Sequence, residues 1–294
     1  MSISTTGTGH NETSGDNLPA GQMNGFAYRY GPWAVVTGAS DGIGQAIARD
    51  LASRGINLIV TARRGDRLQQ LAHELAARHG VQCLALVADL STNEGVEKVK
   101  RESASYEVGL IVAAAGFGTS GAFVDGALAD ERAMLAVNCS AVLELVGHFA
   151  PRLAKRRRGG IVLMSSVLGF NGVPGSANYA ATKAWVQSFA EGLGGELRVH
   201  GIDVLASAPG PVHTGFAARA RLDLGTALSA EVVARQTIDA LGRQGTVRPG
   251  WLSKVLGWSL ATLPRPMRVR LLARIMKGMT ERWRANSHGS APAR

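Results

Sequence analysis

From Trp33 onward the chain alternates short, unbroken apolar runs with longer stretches in which apolar residues recur every three or four positions. WAVVT (33–37), NLIVT (57–61), CLALV (83–87), GLIVAA (109–114), IVLMS (161–165) and DVLAS (203–207) read as buried strands. Between them lie amphipathic segments such as IGQAIARDLASRG (43–55) and RLQQLAHELAARHG (67–80), with Gly55 and Gly80 as helix stops. Strand then helix, repeated six times, predicts an α/β fold: one doubly wound parallel sheet with helices on both faces. No boundary interrupts residues 30–250, which are therefore expected to form a single domain.

The flanks differ. Residues 1–25 are rich in Gly, Ser, Thr and Asn and lack the basic and apolar regions of a signal peptide, so a disordered tail is expected there, and a second one over 285–294. No stretch reaches the roughly 18 uninterrupted apolar residues that a membrane-crossing helix needs. With 294 residues, 46% hydrophobic and 18% charged, the chain can bury a sizeable core. Two cysteines, Cys83 and Cys139, supply neither a disulfide framework nor a spacing for metal ligands, so a reducing cytoplasm is the expected compartment and no metal is expected. The net charge of +10 is unevenly placed: residues 1–242 balance 21 Lys and Arg against 21 Asp and Glu, whereas residues 243–294 carry 11 against 1. Any anionic partner belongs at the C-terminal end.

Candidate chemistry begins where the first strand meets its helix. Gly38, Ser40, Asp41, Gly42, Ile43 and Gly44 form a GxxxGxG turn. Glycine lets a pyrophosphate approach the N–H groups at a helix N-terminus, the arrangement of a Rossmann-type dinucleotide site. At the end of the second strand an acidic residue would hold a ribose and repel a 2′-phosphate, but the chain has Thr61-Ala62-Arg63-Arg64. Arg63 or Arg64 suits a 2′-phosphate, so NADP(H) is expected over NAD(H). Further on, Tyr179 and Lys183 stand four apart at the start of a helical stretch and share one face. Lys183 is expected to lower the tyrosine pKa from its reference of about 10, as a general acid requires. Ser166, thirteen positions upstream, ends the fifth strand, where its hydroxyl can meet the same substrate oxygen.

Taken together, these residues resemble the short-chain dehydrogenase/reductase family over roughly 33–245, with its motifs in family order: TGASDGIG (37–44), Asp89-Leu90, Ala113 to Gly116, Asn138, Ser165-Ser166, Tyr179 with Lys183, and Pro209-Gly210-Pro211-Val212-His213-Thr214. The resemblance implies an NADPH-dependent oxidoreductase interconverting a carbonyl compound and an alcohol. It implies that Ser166 polarises the carbonyl, Tyr179 donates the proton, Lys183 holds the nicotinamide ribose, and Asn138 supports a water relay. By the same resemblance Asp89 and Leu90 meet adenine, Ala115 and Gly116 line the cofactor, and Pro209, Gly210, Val212 and Thr214 lie against the nicotinamide. A homodimer or homotetramer is also implied. The strand-four motif departs from the family's Asn-Asn-Ala-Gly, being Ala113-Ala114-Ala115-Gly116, which removes a bracing amide. A binding protein that senses NADP(H) without catalysis is the alternative, and it commonly lacks the tyrosine or lysine present here.

Other polar residues are read as structural: Ser165 packed beside Ser166, His213 solvated, Cys139 filling a helix interface, and Lys155-Arg156-Arg157-Arg158 in water at the negative pole of a helix. Residues 251–284 form a basic amphipathic extension in which Leu271, Leu272, Ile275, Met276 and Met279 share a face. That face closes over the substrate cleft or a partner subunit, or docks at an anionic membrane surface. The placement resembles extensions of family members that reduce lipid-like ketones, implying a hydrophobic 3-oxoacyl, steroid-like or aryl ketone. Without interleaved aromatic residues the segment does not suit nucleic acid.

Overall fold

Residues 25–223, 225, 227–251, 253–254 and 262–289 are described by the structure, a computed structural model. The strands are β1 (Trp33–Thr37), β2 (Asn57–Ala62), β3 (Cys83–Val87), β4 (Val108–Ala113), β5 (Gly159–Met164), β6 (Ile202–Ser207) and β7 (Thr246–Val247). All pair in parallel, in the order β3-β2-β1-β4-β5-β6-β7. The six apolar runs are strands within two residues of their expected limits. The seventh, two residues long, is too short to leave a hydropathy signal.

Alternation along each strand divides the core. Val36, Leu58, Val60, Val112 and Leu205 face one layer, with α2 (Gly42–Ser53), α3 (Gly65–His79) and α9 (Ala230–Ala240). Val35, Ile59, Ile111, Leu163 and Ala206 face the other, with α4 (Asn93–Glu102), α6 (Ala141–Arg156) and α7 (Ala177–Leu197). Because both faces are covered, the strands need apolar residues at every position, which is why they read as unbroken runs. The stops behave as expected: Gly80 takes the left-handed conformation at φ 67° after α3, and Gly55 follows α2 at φ 79°.

Several features depart from the expectations. A short helix, α1 (Gly25–Tyr30), precedes the sheet, held by Tyr30 Oη and Arg29 Nε donating to Asp203 at 2.7 and 2.6 Å. The helical run Leu128–Arg156, made of α5 (Leu128–Leu135), a π turn (Ala136–Ser140) and α6, is long and apolar enough by composition to cross a membrane. Here Leu145, Phe149 and Leu153 of that run pack on the sheet. The basic run at the end of α6 is only partly in water. Arg156 donates to the Gly31 carbonyl at 2.6 Å and pairs with Glu107, and Arg158 stacks on Tyr28. Gly31 and Glu107 stand just before β1 and β4, so Arg156 lies at the N-terminal ends of those strands.

Beyond α8 (Gly215–Arg219), a long helix α10 (Arg265–Gly289) runs past the limit of 284 expected from the sequence. Of the tails expected over 1–25 and 285–294, residues 1–24 and 290–294 lie outside the described residues, as do 252 and 255–261 of the expected extension, whereas Gly25 and residues 285–289 are helical. Leu272 and Met276 of α10 are buried against Val173, Ala180, Ala220 and Leu222.

Candidate active site

The strand order reverses direction between β1 and β4, and at their C-terminal ends opens a cavity of about 780 Å³. At one end stands the glycine turn. Gly38 adopts φ 69°, and a Cβ there would lie 2.8 Å from Ala115 Cα; one on Gly44 would lie 2.5 Å from the Gly38 carbonyl oxygen. Side chains are therefore excluded by geometry at both positions. Asp41 caps α2 without a side-chain bond to its first-turn N–H groups. Those donors and the positive end of the helix border the cavity, which fits the pyrophosphate of a dinucleotide.

At the end of β2, Arg64 donates from Nε and Nη2 to Ser40 Oγ at 3.2 and 3.1 Å and pairs with Asp41 at 3.3 Å. Arg63 lines the same cavity within electrostatic reach of Asp89. Burial pushes the Asp89 carboxyl up, but hydrogen bonds from Ser91 and the nearby Arg63 and Arg219 leave it below its ordinary range. Both arginines line the cavity beside the glycine turn. Ala115 and Gly116 are set by Thr37, whose Oγ1 accepts from Ala115 N at 2.9 Å. This bond ties β1 to β4 beside the missing amide of the Ala113–Gly116 motif.

On the opposite wall Ser166, Tyr179 and Lys183 come together from β5's end and α7. Ser165 Oγ donates to the Lys183 carbonyl at 3.0 Å and Lys183 Nζ to the Met164 carbonyl at 2.7 Å, fastening α7 to the strand end. The expected acidification of the Tyr179 phenol is not found: burial pushes it up to about 12, against a smaller downward pull from the nearby Ser166 hydroxyl. Lys183 is a weakened cation, pushed down to about 8 by the same burial, and its Nζ sits 5.8 Å from the tyrosine ring centroid. Desolvation outweighs pairing for both groups.

Asn138 is not on the cavity wall. It is buried in the π turn, accepting from Phe117 N at 3.1 Å and donating to Phe117 O and Thr182 Oγ1 at 2.9 and 3.0 Å. Its side chain braces the loop after β4 against α7, and all its polar atoms are used. Leu90, Pro209, Gly210, Val212 and Thr214 line the cavity. Cys139 is half-buried near the Thr182 carbonyl, and His213 is exposed.

Sequence reasoning missed several wall residues. Phe216 packs on Tyr179 at 5.3 Å between centroids, and the Arg219 guanidinium lies 3.5 Å from the Phe117 centroid. Arg248 and Arg268 also line the cavity. None stands in a spacing that marks a site. The α10 face was visible as an apolar stripe, and the structure closes it over the cavity through Leu272, Ile275, Met276 and Met279.

The family model for short chain dehydrogenases matches residues 32–225. A very-long-chain 3-oxoacyl-CoA reductase of Podospora anserina is 36% identical over 59% of this chain, and the match spans 53% of that protein. A structure from a study of 7beta-hydroxysteroid dehydrogenase stereoselectivity superposes with a TM-score of 0.78 at 25% identity, covering 84% of this chain and 98% of that one. A short-chain dehydrogenase from Sphingobium yanoikuyae in complex with NADPH gives 0.72 at 29%, covering 80% and 97%.

Proposed function

The chain belongs to the short chain dehydrogenase family and is an oxidoreductase, and from that premise we propose that it reduces a hydrophobic ketone to a secondary alcohol with NADPH. The observation that carries this reading is the meeting of Ser166, Tyr179 and Lys183 on one wall of the cavity whose far end is the open N-terminus of α2. NADPH would supply the hydride. Ser166 donates a hydrogen bond to the substrate oxygen and orients it. Tyr179, with its pKa near 12, is protonated at neutral pH, the state a proton donor needs in the reductive direction. Lys183, anchored by the Met164 carbonyl, places a positive charge on the side where the phenolate is left after the proton has gone.

Arg63 and Arg64, with no carboxylate at the end of β2, favour a 2′-phosphate. The apolar wall of Leu222, Leu272, Met276 and Met279 favours a substrate of low polarity, as the acyl and steroid chemistry in the relatives' names does. On this reading α10 is a lid that excludes water from the reacting carbon.

The test is Tyr179→Phe, assayed by NADPH oxidation with long-chain and steroid ketones beside NADPH binding by fluorescence. Turnover is expected to fall by about 10²–10⁴-fold with binding retained. A variant that keeps most of its rate removes the proton donor from the scheme.

A further inference from the structure

Deepening the reductase reading, on which it rests, we infer that the substrate is an amphipathic ketone carrying an anionic group, and that Arg248 holds that group. Arg248 follows β7, two strand steps from β5, whose C-terminal end leads into Ser166, and both residues line the cavity. Its guanidinium lies 4.4 Å from the centroid of Phe170, four residues after Ser166. Among the described residues its Nε is buried with no hydrogen-bond partner, and no carboxylate forms an ion pair with it. Asn171, next to Phe170, also lines the cavity and leaves a buried, unpartnered Oδ1.

Arg248 differs in this from Arg64 at the end of β2, which is bonded to Ser40 and Asp41. Arg248 is also remote from Arg63 and Arg64. Five strand steps separate β2 from β7 in the sheet order, roughly 24 Å at about 4.8 Å per step. A cofactor phosphate held after β2 and at the N-terminus of α2 leaves Arg248 for a different anion.

A guanidinium held over an aromatic ring does not spend its N–H donors on the ring's π face, and Arg248 Nε is left without a partner. Paired oxygens of a carboxylate or phosphate match the guanidinium's fork of donors. A buried donor left without a partner is unfavourable, and a ligand that supplies one relieves this. Leu272 and Met276, across the same cavity, require the rest of the ligand to be apolar. The anion has two possible sources, a carboxylate on the ketone itself or a phosphate of a thioester carrier.

The experiment uses the full chain and two matched pairs. One is a long-chain keto acid, with carboxylate remote from ketone, and its methyl ester. The other is a 3-oxoacyl thioester of coenzyme A and the same acyl group on N-acetylcysteamine. KM and kcat come from NADPH oxidation, and dissociation constants of the corresponding hydroxy products from calorimetry on the NADP-loaded protein. The anionic member of at least one pair is expected to bind about 10–100-fold more tightly than its neutral counterpart. Arg248→Met should collapse that ratio toward one through KM far more than kcat, with NADPH binding reporting an intact fold, and Arg248→Lys should restore part of it. The discriminated pair identifies the source. Equal affinity within both pairs, or a ratio that survives Arg248→Met, overturns the proposal while turnover upholds the reductase reading. Charge discrimination in the binding data without turnover of any pair sinks the reductase reading and leaves the anion site standing.

Discussion

Replacing Lys183 by methionine, a neutral side chain of similar length, probes the buried electrostatics of the site without any substrate. Burial lowers the Lys183 pKa from 10.5 to about 8, and at about 1.4 kcal/mol per pKa unit the charged form is disfavoured in the fold by about 3 kcal/mol near neutral pH. The sign follows from proton counts. Between pH 8 and 10.5 the unfolded chain keeps the lysine proton that the folded chain has released, so stability contributed by this group rises with pH across that window. Below it the full penalty applies, and above it none does. The variant also loses the Nζ bond to the Met164 carbonyl, at a cost of about 1–3 kcal/mol that does not change with pH. Urea unfolding of both proteins without dinucleotide, near neutral pH and at about pH 9.5, isolates the effect as a double difference. Wild type is expected to gain about 2 kcal/mol on the variant between the two conditions. A difference that stays constant, or shrinks as pH rises, would mean that the ammonium is solvated or compensated, and the desolvation argument for the Tyr179 and Lys183 pair would fall with it.

Gly44→Ala would set a Cβ 2.5 Å from the Gly38 carbonyl oxygen, so a loss of about 1–3 kcal/mol is expected, read as a lowered Tm with weakened NADPH binding. A variant of unchanged Tm and affinity would show that the turn opens freely. Arg63→Ala is expected to raise the NADPH dissociation constant by about 10–100-fold and to move the NADH constant far less. If Arg64→Ala gives the larger change, the phosphate contact belongs to Arg64, released from Ser40 and Asp41.

The sheet was legible because burial on both faces leaves an unbroken apolar signature, and its helices because one buried stripe repeats every three or four residues. β7 escaped notice because two residues carry no period, and α1 because a six-residue helix anchored through Asp203 shows its partner only in space. The trio proposed to act on the substrate was legible as well. Tyr179 and Lys183 are one helical turn apart, and a strand end beside Ser166 is a local feature. Sequence also determined the glycine turn and the arginines after β2, since these are properties of neighbouring residues. Tertiary structure decided the rest. It turned Asn138 inward onto Phe117 and Thr182, raised Tyr179 instead of lowering it, and drew Arg156 and Arg158 partly out of water. It also brought Arg248 to Phe170, 78 positions apart, and laid α10 over the cavity. Desolvation and contacts between distant segments depend on what surrounds a group in three dimensions, and no spacing along the chain encodes that surrounding.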